Sequence, residues 1–89
     1  MIRGVTPSGF AFEVDENIAD NMELVDALAA MESDEDFLAI SRVLKLLLDE
    51  KQRRALYDHL RTPDGRVPVK AVSEAILAVF AACGAQGKN

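Results

Sequence analysis

Residues 47–80 read LLDEKQRRALYDHLRTPDGRVPVKAVSEAILAVF, two amphipathic helical stretches on either side of a Pro-Asp-Gly turn. Asp49 stands where a helix N-cap belongs and Gln52 falls at the third helical position, the spacing of a capping box. A helix is therefore expected over residues 50–61, with Leu56 and Leu60 turned inward. Residues 62–66 form the turn: Pro63 pre-sets one backbone angle and Gly65 is free to take a positive one. Beyond it Pro68 fits the first turn of a last helix, along which Val69, Val72, Ile76, Val79, Phe80 and Cys83 recur at helical spacing. Gly84 is its expected stop.

Upstream, residues 37–48 are apolar on most of a helix's circumference. Phe37, Leu38, Ile40, Val43, Leu44, Leu46, Leu47 and Leu48 are interrupted only by Ser41, Arg42 and Lys45. Such a helix is either central in a bundle or covered in part by another molecule. The acidic run Glu32, Ser33, Asp34, Glu35, Asp36 breaks the helix before it and supplies the cap of the next, where negative charge suits the positive end of the helix dipole. That earlier helix is signalled at Asp20, with Glu23 three residues on as a capping box and the turn starting as early as Glu16. Met22, Val25, Leu28 and Ala29 recur on one of its faces, with Leu24 and Met31 alongside. Nearer the N-terminus, Phe10, Phe12 and Val14 alternate with Ala11 and Glu13, the period of a half-buried strand. Its partner is either Ile2–Val5, as a hairpin, or another copy of the chain.

The expected architecture is mainly α: a small bundle of about four helices with a short N-terminal β-strand or hairpin. Residues 1–8 are a flexible arm or edge strand, 9–84 a single helical domain and 85–89 a frayed tail. No internal repeat is visible, which removes solenoid architectures.

Eighty-nine residues, 49% hydrophobic and 28% charged, suffice for one core and no second one. A domain of this size buries only about 60% of its unfolded surface, so a partner or self-association would add usefully to its stability. The formal charge of −5 and isoelectric point near 4.7 argue against a nucleic-acid binder, which needs clustered Lys and Arg. The one local basic patch, Lys51, Arg53 and Arg54, is followed by no aromatic stacking platform. Cys83 is the single cysteine and suits a reducing cytoplasm, as a buried or near-terminal structural thiol among Ala81, Ala82 and Gly84. The N-terminal residues contain no unbroken apolar stretch, and no run approaches the roughly 20 residues that cross a bilayer. Neither export nor a membrane span is expected.

Chemistry-bearing patterns are weak. Around Gly65 and Val67 the turn can be laid on the calcium loop of an EF-hand, but the same frame puts Leu60 first and Ala71 twelfth, where an Asp and a bidentate Glu must supply oxygens. Calcium binding is not expected, nor any other metal or cofactor. His59, the only histidine, has no Ser or Cys nucleophile in a matching context and reads as a surface or boundary residue. Acyl-carrier proteins are also small, acidic and helical, but they carry their arm on an Asp-Ser-Leu serine. Ser41 lies in Ile-Ser-Arg and Ser73 in Val-Ser-Glu, so the carrier reading fails. The fifteen carboxylates fall mostly on polar faces and in caps, and enzyme activity is not expected. Met22 and Met31 read as core residues rather than as a cofactor pocket.

Two segments together carry a family resemblance: GFAFEVDENIADNMELVDALAAM near the start and LLLDEKQRRALYDHLRTPDGRVPVKAVSEAILAVF in the second half. Over residues 9–89 the chain resembles the small tail assembly chaperones of long, flexible-tailed (siphovirus-type) bacteriophages and prophages, particularly those of Gram-positive hosts. The resemblance implies a non-enzymatic protein of the host cytoplasm that coats the helix-rich tape measure protein, helps recruit tail tube subunits, and is absent from the mature virion. On that basis Phe37, Ile40, Leu44, Leu47, Ile76 and Phe80 are candidate partner-binding residues; the alternative that all six are simply core stays open. Such chaperones are often made in short and frameshifted long forms, and Gly87-Lys88-Asn89 can be encoded by a slippery run of adenines. The rival function is a small acidic regulatory or antitoxin-like adaptor that binds one basic protein.

Overall fold

The computed structural model describes residues 1–33 and 37–86, and side chains up to Gly84. Strand β1 (Ile2–Val5) and strand β2 (Ala11–Val14) form an antiparallel hairpin, followed by helices α1 (Met22–Ser33), α2 (Phe37–Leu47), α3 (Glu50–Leu60) and α4 (Val69–Gln86). The protein is thus mainly helical, with a two-stranded N-terminal sheet. Residues 2–5 are one of the two strands of that sheet, and β2 finds its partner within its own chain.

In the hairpin Ile2 faces Val14, Arg3 faces Glu13, Gly4 faces Phe12 and Val5 faces Ala11. Alternation sends Ile2, Phe10, Phe12 and Val14 into the core. Gly4 follows from the same register. A Cβ on residue 4 would lie 2.7 Å from the Phe12 ring, so only glycine lets that ring close over the neighbouring strand. The connecting turn is built on Thr6, a buried polar residue. Its N–H donates to the Phe10 carbonyl at 2.8 Å, its Oγ1 accepts the Phe10 N–H at 3.1 Å, and its carbonyl accepts the Gly9 N–H at 2.9 Å. Gly9 has φ of +96°, a conformation side chains resist.

Between hairpin and helices, residues 15–20 make consecutive turns, with the Ile18 N–H on the Asp15 carbonyl and the Asp20 N–H on the Asn17 carbonyl. The expected cap at Asp20 is displaced by one residue: Asn21 Oδ1 accepts the Glu23 N–H at 3.0 Å, while the Asp20 N–H is spent in the turn. The inward face of α1 also differs from expectation. Leu24, Ala27, Leu28 and Met31 are buried, whereas Met22, Val25 and Ala29 are exposed. Two apolar stripes compete on this helix, and the one with the fuller i, i+3, i+4, i+7 set packs against the rest of the bundle. Asp34, Glu35 and Asp36, expected to cap α2, lie outside the described residues.

α1 packs most extensively on α2. The buried side of α2 is Ala39, Val43, Leu44 and Leu47, continued by Leu48. α3 begins as the sequence suggests: Asp49 accepts the Gln52 N–H on Oδ1 at 2.8 Å. It contributes Leu56 to the core, with Leu60 partly buried. α4 supplies Val72, Ala75, Ile76, Val79 and Cys83, one stripe at helical spacing. The helix runs two residues past Gly84, its expected stop, and ends at Gln86. Glycine inside a helix costs only about 1 kcal/mol against alanine, and with Cys83 before it and Ala85 after it nothing else forces an end there. Residues 87–89, part of the expected frayed tail, lie outside the described residues. No helix among the described residues is long and apolar enough to cross a membrane.

Candidate functional site

The six candidate partner-binding residues divide in two. Leu44, Leu47 and Ile76 are core side chains at 4% exposure or less, out of a partner's reach while the bundle is closed. Ile40 and Phe80 are half-buried against that core, and Phe37 is 68% exposed. α2 therefore uses one side to build the molecule and presents the other, at its N-terminal end, to the outside.

Phe37 stands at the mouth of a groove. From α2 come Phe37, Ile40, Ser41 and, as floor, Leu44. Tyr57 of α3 bounds it, together with Val67 before α4 and Val69 and Val72 in its first turns. Its volume is about 200 Å³. A cavity of roughly 150 Å³ accepts a benzene-sized group, so this groove has room for one large apolar side chain and part of another. The lining is apolar apart from the Ser41 hydroxyl and the edge of Tyr57. Sequence periodicity put Phe37, Ile40 and Leu44 on a shared face, but Tyr57 and Val67 came from segments that carried no signal of shared location. Only the fold joins them.

The turn that frames one end of the groove is closed upon itself. The Thr62 N–H donates to the Arg66 carbonyl at 2.7 Å, the Gly65 N–H to the Thr62 carbonyl at 2.9 Å, and Gly65 takes φ of +90°. Thr62 Oγ1 donates to the Asp64 carboxylate, which holds that carboxyl below its usual range. Arg61 donates to the Gly65 carbonyl at 3.0 Å. Asp64, the acid nearest the EF-hand glycine, is thus already engaged by its own loop.

A wider, open depression of about 700 Å³ lies between the hairpin's outer face and the N-terminal part of α3. Its polar groups serve one another. Arg3 Nε donates to Glu13 at 2.9 Å. Gln52 receives the Glu13 N–H on Oε1 at 2.8 Å and donates Nε2 to the Glu13 carbonyl at 2.7 Å. In a capping box this side chain would turn back to the Asp49 N–H; here it pairs with the strand edge like one residue of a third strand. Two turns further along α3, His59 Nε2 lies 2.9 Å from the Ser8 carbonyl, with its ring 6.1 Å from that of Phe10. The only histidine is an exposed tie between helix and hairpin turn. Ser73 donates to the Val69 carbonyl at 3.1 Å within its own helix. Cys83 is 1% exposed, and burial pushes its thiol pKa up, which keeps it protonated and inert. Among the described residues no group of three or more His, Cys, Asp or Glu could hold a metal ion.

No protein-family model, curated protein or solved structure matches this chain.

Proposed function

We propose that the chain is a tail assembly chaperone of a long-tailed bacteriophage or prophage, which binds the tape measure protein and helps recruit tail tube subunits while the tail is built. The observation that carries the binding part of this reading is the apolar groove between α2, α3 and α4, with Phe37 68% exposed at its mouth. A folded chain this small has few large apolar residues to spare, and leaving a phenylalanine beside an apolar groove fits a surface that a partner covers. The sequence resemblance supplies the identity of that partner, a long helical protein with apolar seams. Net negative charge would keep the complex in solution while those seams are shielded.

The rival, an acidic adaptor for a basic protein, draws support from charge placement. Up to residue 36 the chain carries ten carboxylates and one cation; after it, five and nine. Co-purification separates the two. The tagged chain, produced together with the proteins of its neighbouring genes, is expected to retain a very long coiled-coil-rich protein and a tube-forming one. Phe37→Ser should reduce that capture and leave stability within about 0.5 kcal/mol, as for an exposed position. Recovery of one small basic protein instead would select the adaptor, and capture unaffected by Phe37→Ser would remove the groove from the account.

A further inference from the structure

We infer that the groove between α2, α3 and the start of α4 receives one amphipathic helix of a partner protein, whose apolar ridge fills the groove and whose flanking carboxylates meet a cationic rim. This rests on the reading above in that it gives the chemistry of the client segment, but the two can fail separately.

The floor selects for an apolar ridge, since Ile40, Leu44 and Val72 leave a buried polar group no acceptor or donor beyond Ser41 and Tyr57. The rim selects for acid. Lys45 is one turn beyond Ser41 on the same side of α2, Arg42 is next to it, and Lys70 follows Val69 at the groove's other wall. All three are exposed. None takes part in an ion pair among the described residues, whereas Arg54, Arg61 and Arg66 each have a carboxylate partner. α4 adds a further preference. It starts at the groove with no acidic residue in its first turn and a lysine there instead, so the positive end of its dipole is left without the negative side chain that commonly offsets it. A carboxylate brought by a partner would answer both Lys70 and that helix end. A basic or neutral amphipathic helix would fit the same floor and forgo these contacts, so charge sets the choice among helices of similar shape. The competing occupant is a second copy of the chain, because α1 itself shows an exposed stripe, Met22, Val25 and Ala29, bordered by Glu23, Asp26 and Glu32.

The chain provides its own reporter: Tyr57 is the single tyrosine, there is no tryptophan, and Tyr57 lines the groove. The probes are two synthetic helical peptides without Tyr or Trp, alike in a leucine ridge at helical spacing. One carries Glu at the ridge borders, the other Lys at the same places. Titrating the full chain, the Glu peptide should change Tyr57 emission saturably and bind about tenfold more tightly than the Lys peptide at low salt, the advantage shrinking as salt is added. Lys45→Glu combined with Lys70→Glu, both at exposed positions, should invert that order. Equal binding of the two peptides, or no change in Tyr57 emission at saturating Glu peptide, overturns the proposal. So does concentration-dependent self-association in sedimentation that Asp26→Lys abolishes, which would give the groove to a second copy. Peptide discrimination as expected, with no capture of a tape measure protein, would uphold the groove and refute the tail function.

Discussion

Replacing Gln52 tests how the helices hold the hairpin. Its side-chain amide makes two hydrogen bonds to the Glu13 backbone, at 2.8 and 2.7 Å, in a partly buried setting. Each such bond contributes about 0.5–1.5 kcal/mol net, and deleting the side chain leaves a backbone donor and acceptor less well satisfied. Gln52→Ala should therefore cost about 1–3 kcal/mol, slightly offset by alanine's better helix propensity. At 4–8 °C per kcal/mol for a domain of this size, the midpoint should fall by roughly 5–20 °C in a thermal melt followed by circular dichroism. Gln52→Glu is the informative companion. Glutamate keeps the helix propensity, the backbone N–H on Asp49 and an acceptor for the Glu13 N–H, but it cannot donate to the Glu13 carbonyl. Its loss should be at least half that of alanine, and in both variants the Glu13 amide should exchange with solvent faster. A Gln52→Ala protein within about 0.5 kcal/mol of the parent, with unchanged exchange at Glu13, would refute the claim that this amide closes the sheet edge.

Gly4→Ala places a methyl group 2.7 Å from the Phe12 ring and should destabilise by about 1–3 kcal/mol, read as a lower urea midpoint; an unchanged midpoint would mean the ring moves freely. Asp64 is held below its ordinary pKa of 3.8, chiefly by the Thr62 hydroxyl, so the unfolded chain binds its proton first. Its contribution is present above that value and lost as pH falls through the lower folded one, and Asp64→Asn should flatten this part of a stability–pH profile. Cys83 should react with a thiol reagent only as fast as the bundle opens, giving rates that rise with denaturant along the unfolding curve; prompt reaction in native buffer would contradict its burial. Since burial raises that thiol's pKa, its contribution is complete below pH 9.0 and disappears as pH climbs through the folded value.

Where apolar spacing was unambiguous, the sequence sufficed. The inward Leu56 of α3, the α4 stripe from Val72 to Cys83, the Asp49 cap and the alternation of β2 appear in the structure where the residues put them, whereas Val69, expected on that stripe, is exposed and Phe80 is half-buried. α1 was harder, because Met22, Val25 and Ala29 are as apolar as the stripe that packs, and local pattern cannot say which of two faces meets α2. The cap moved to Asn21 for a similar reason: Asp20 and Asn21 are both good caps, and the preceding turn decides between them. Among the candidate binding residues, Phe37 and Leu44 looked alike in sequence, two turns apart on a helix apolar nearly all round. Their separation into surface and core depends on where α1 and α4 lie. The pairing of Gln52 with Glu13 had no local signal, since a glutamine at that position already had a role in a capping box.

Hairpin and α3 are joined at two points, Glu13 with Gln52 and Ser8 with His59, which are 39 and 51 residues apart in the chain. During translation the hairpin leaves the ribosome long before either anchor is made. Its apolar face, Ile2, Phe10, Phe12 and Val14, and the open rim of β2 must wait until Gln52 and His59, 39 and 51 residues beyond their partners, have been made before α3 can dock. The order of synthesis thus runs against the order of assembly: the hairpin precedes the helices in the chain and is sealed only once α3 has followed it.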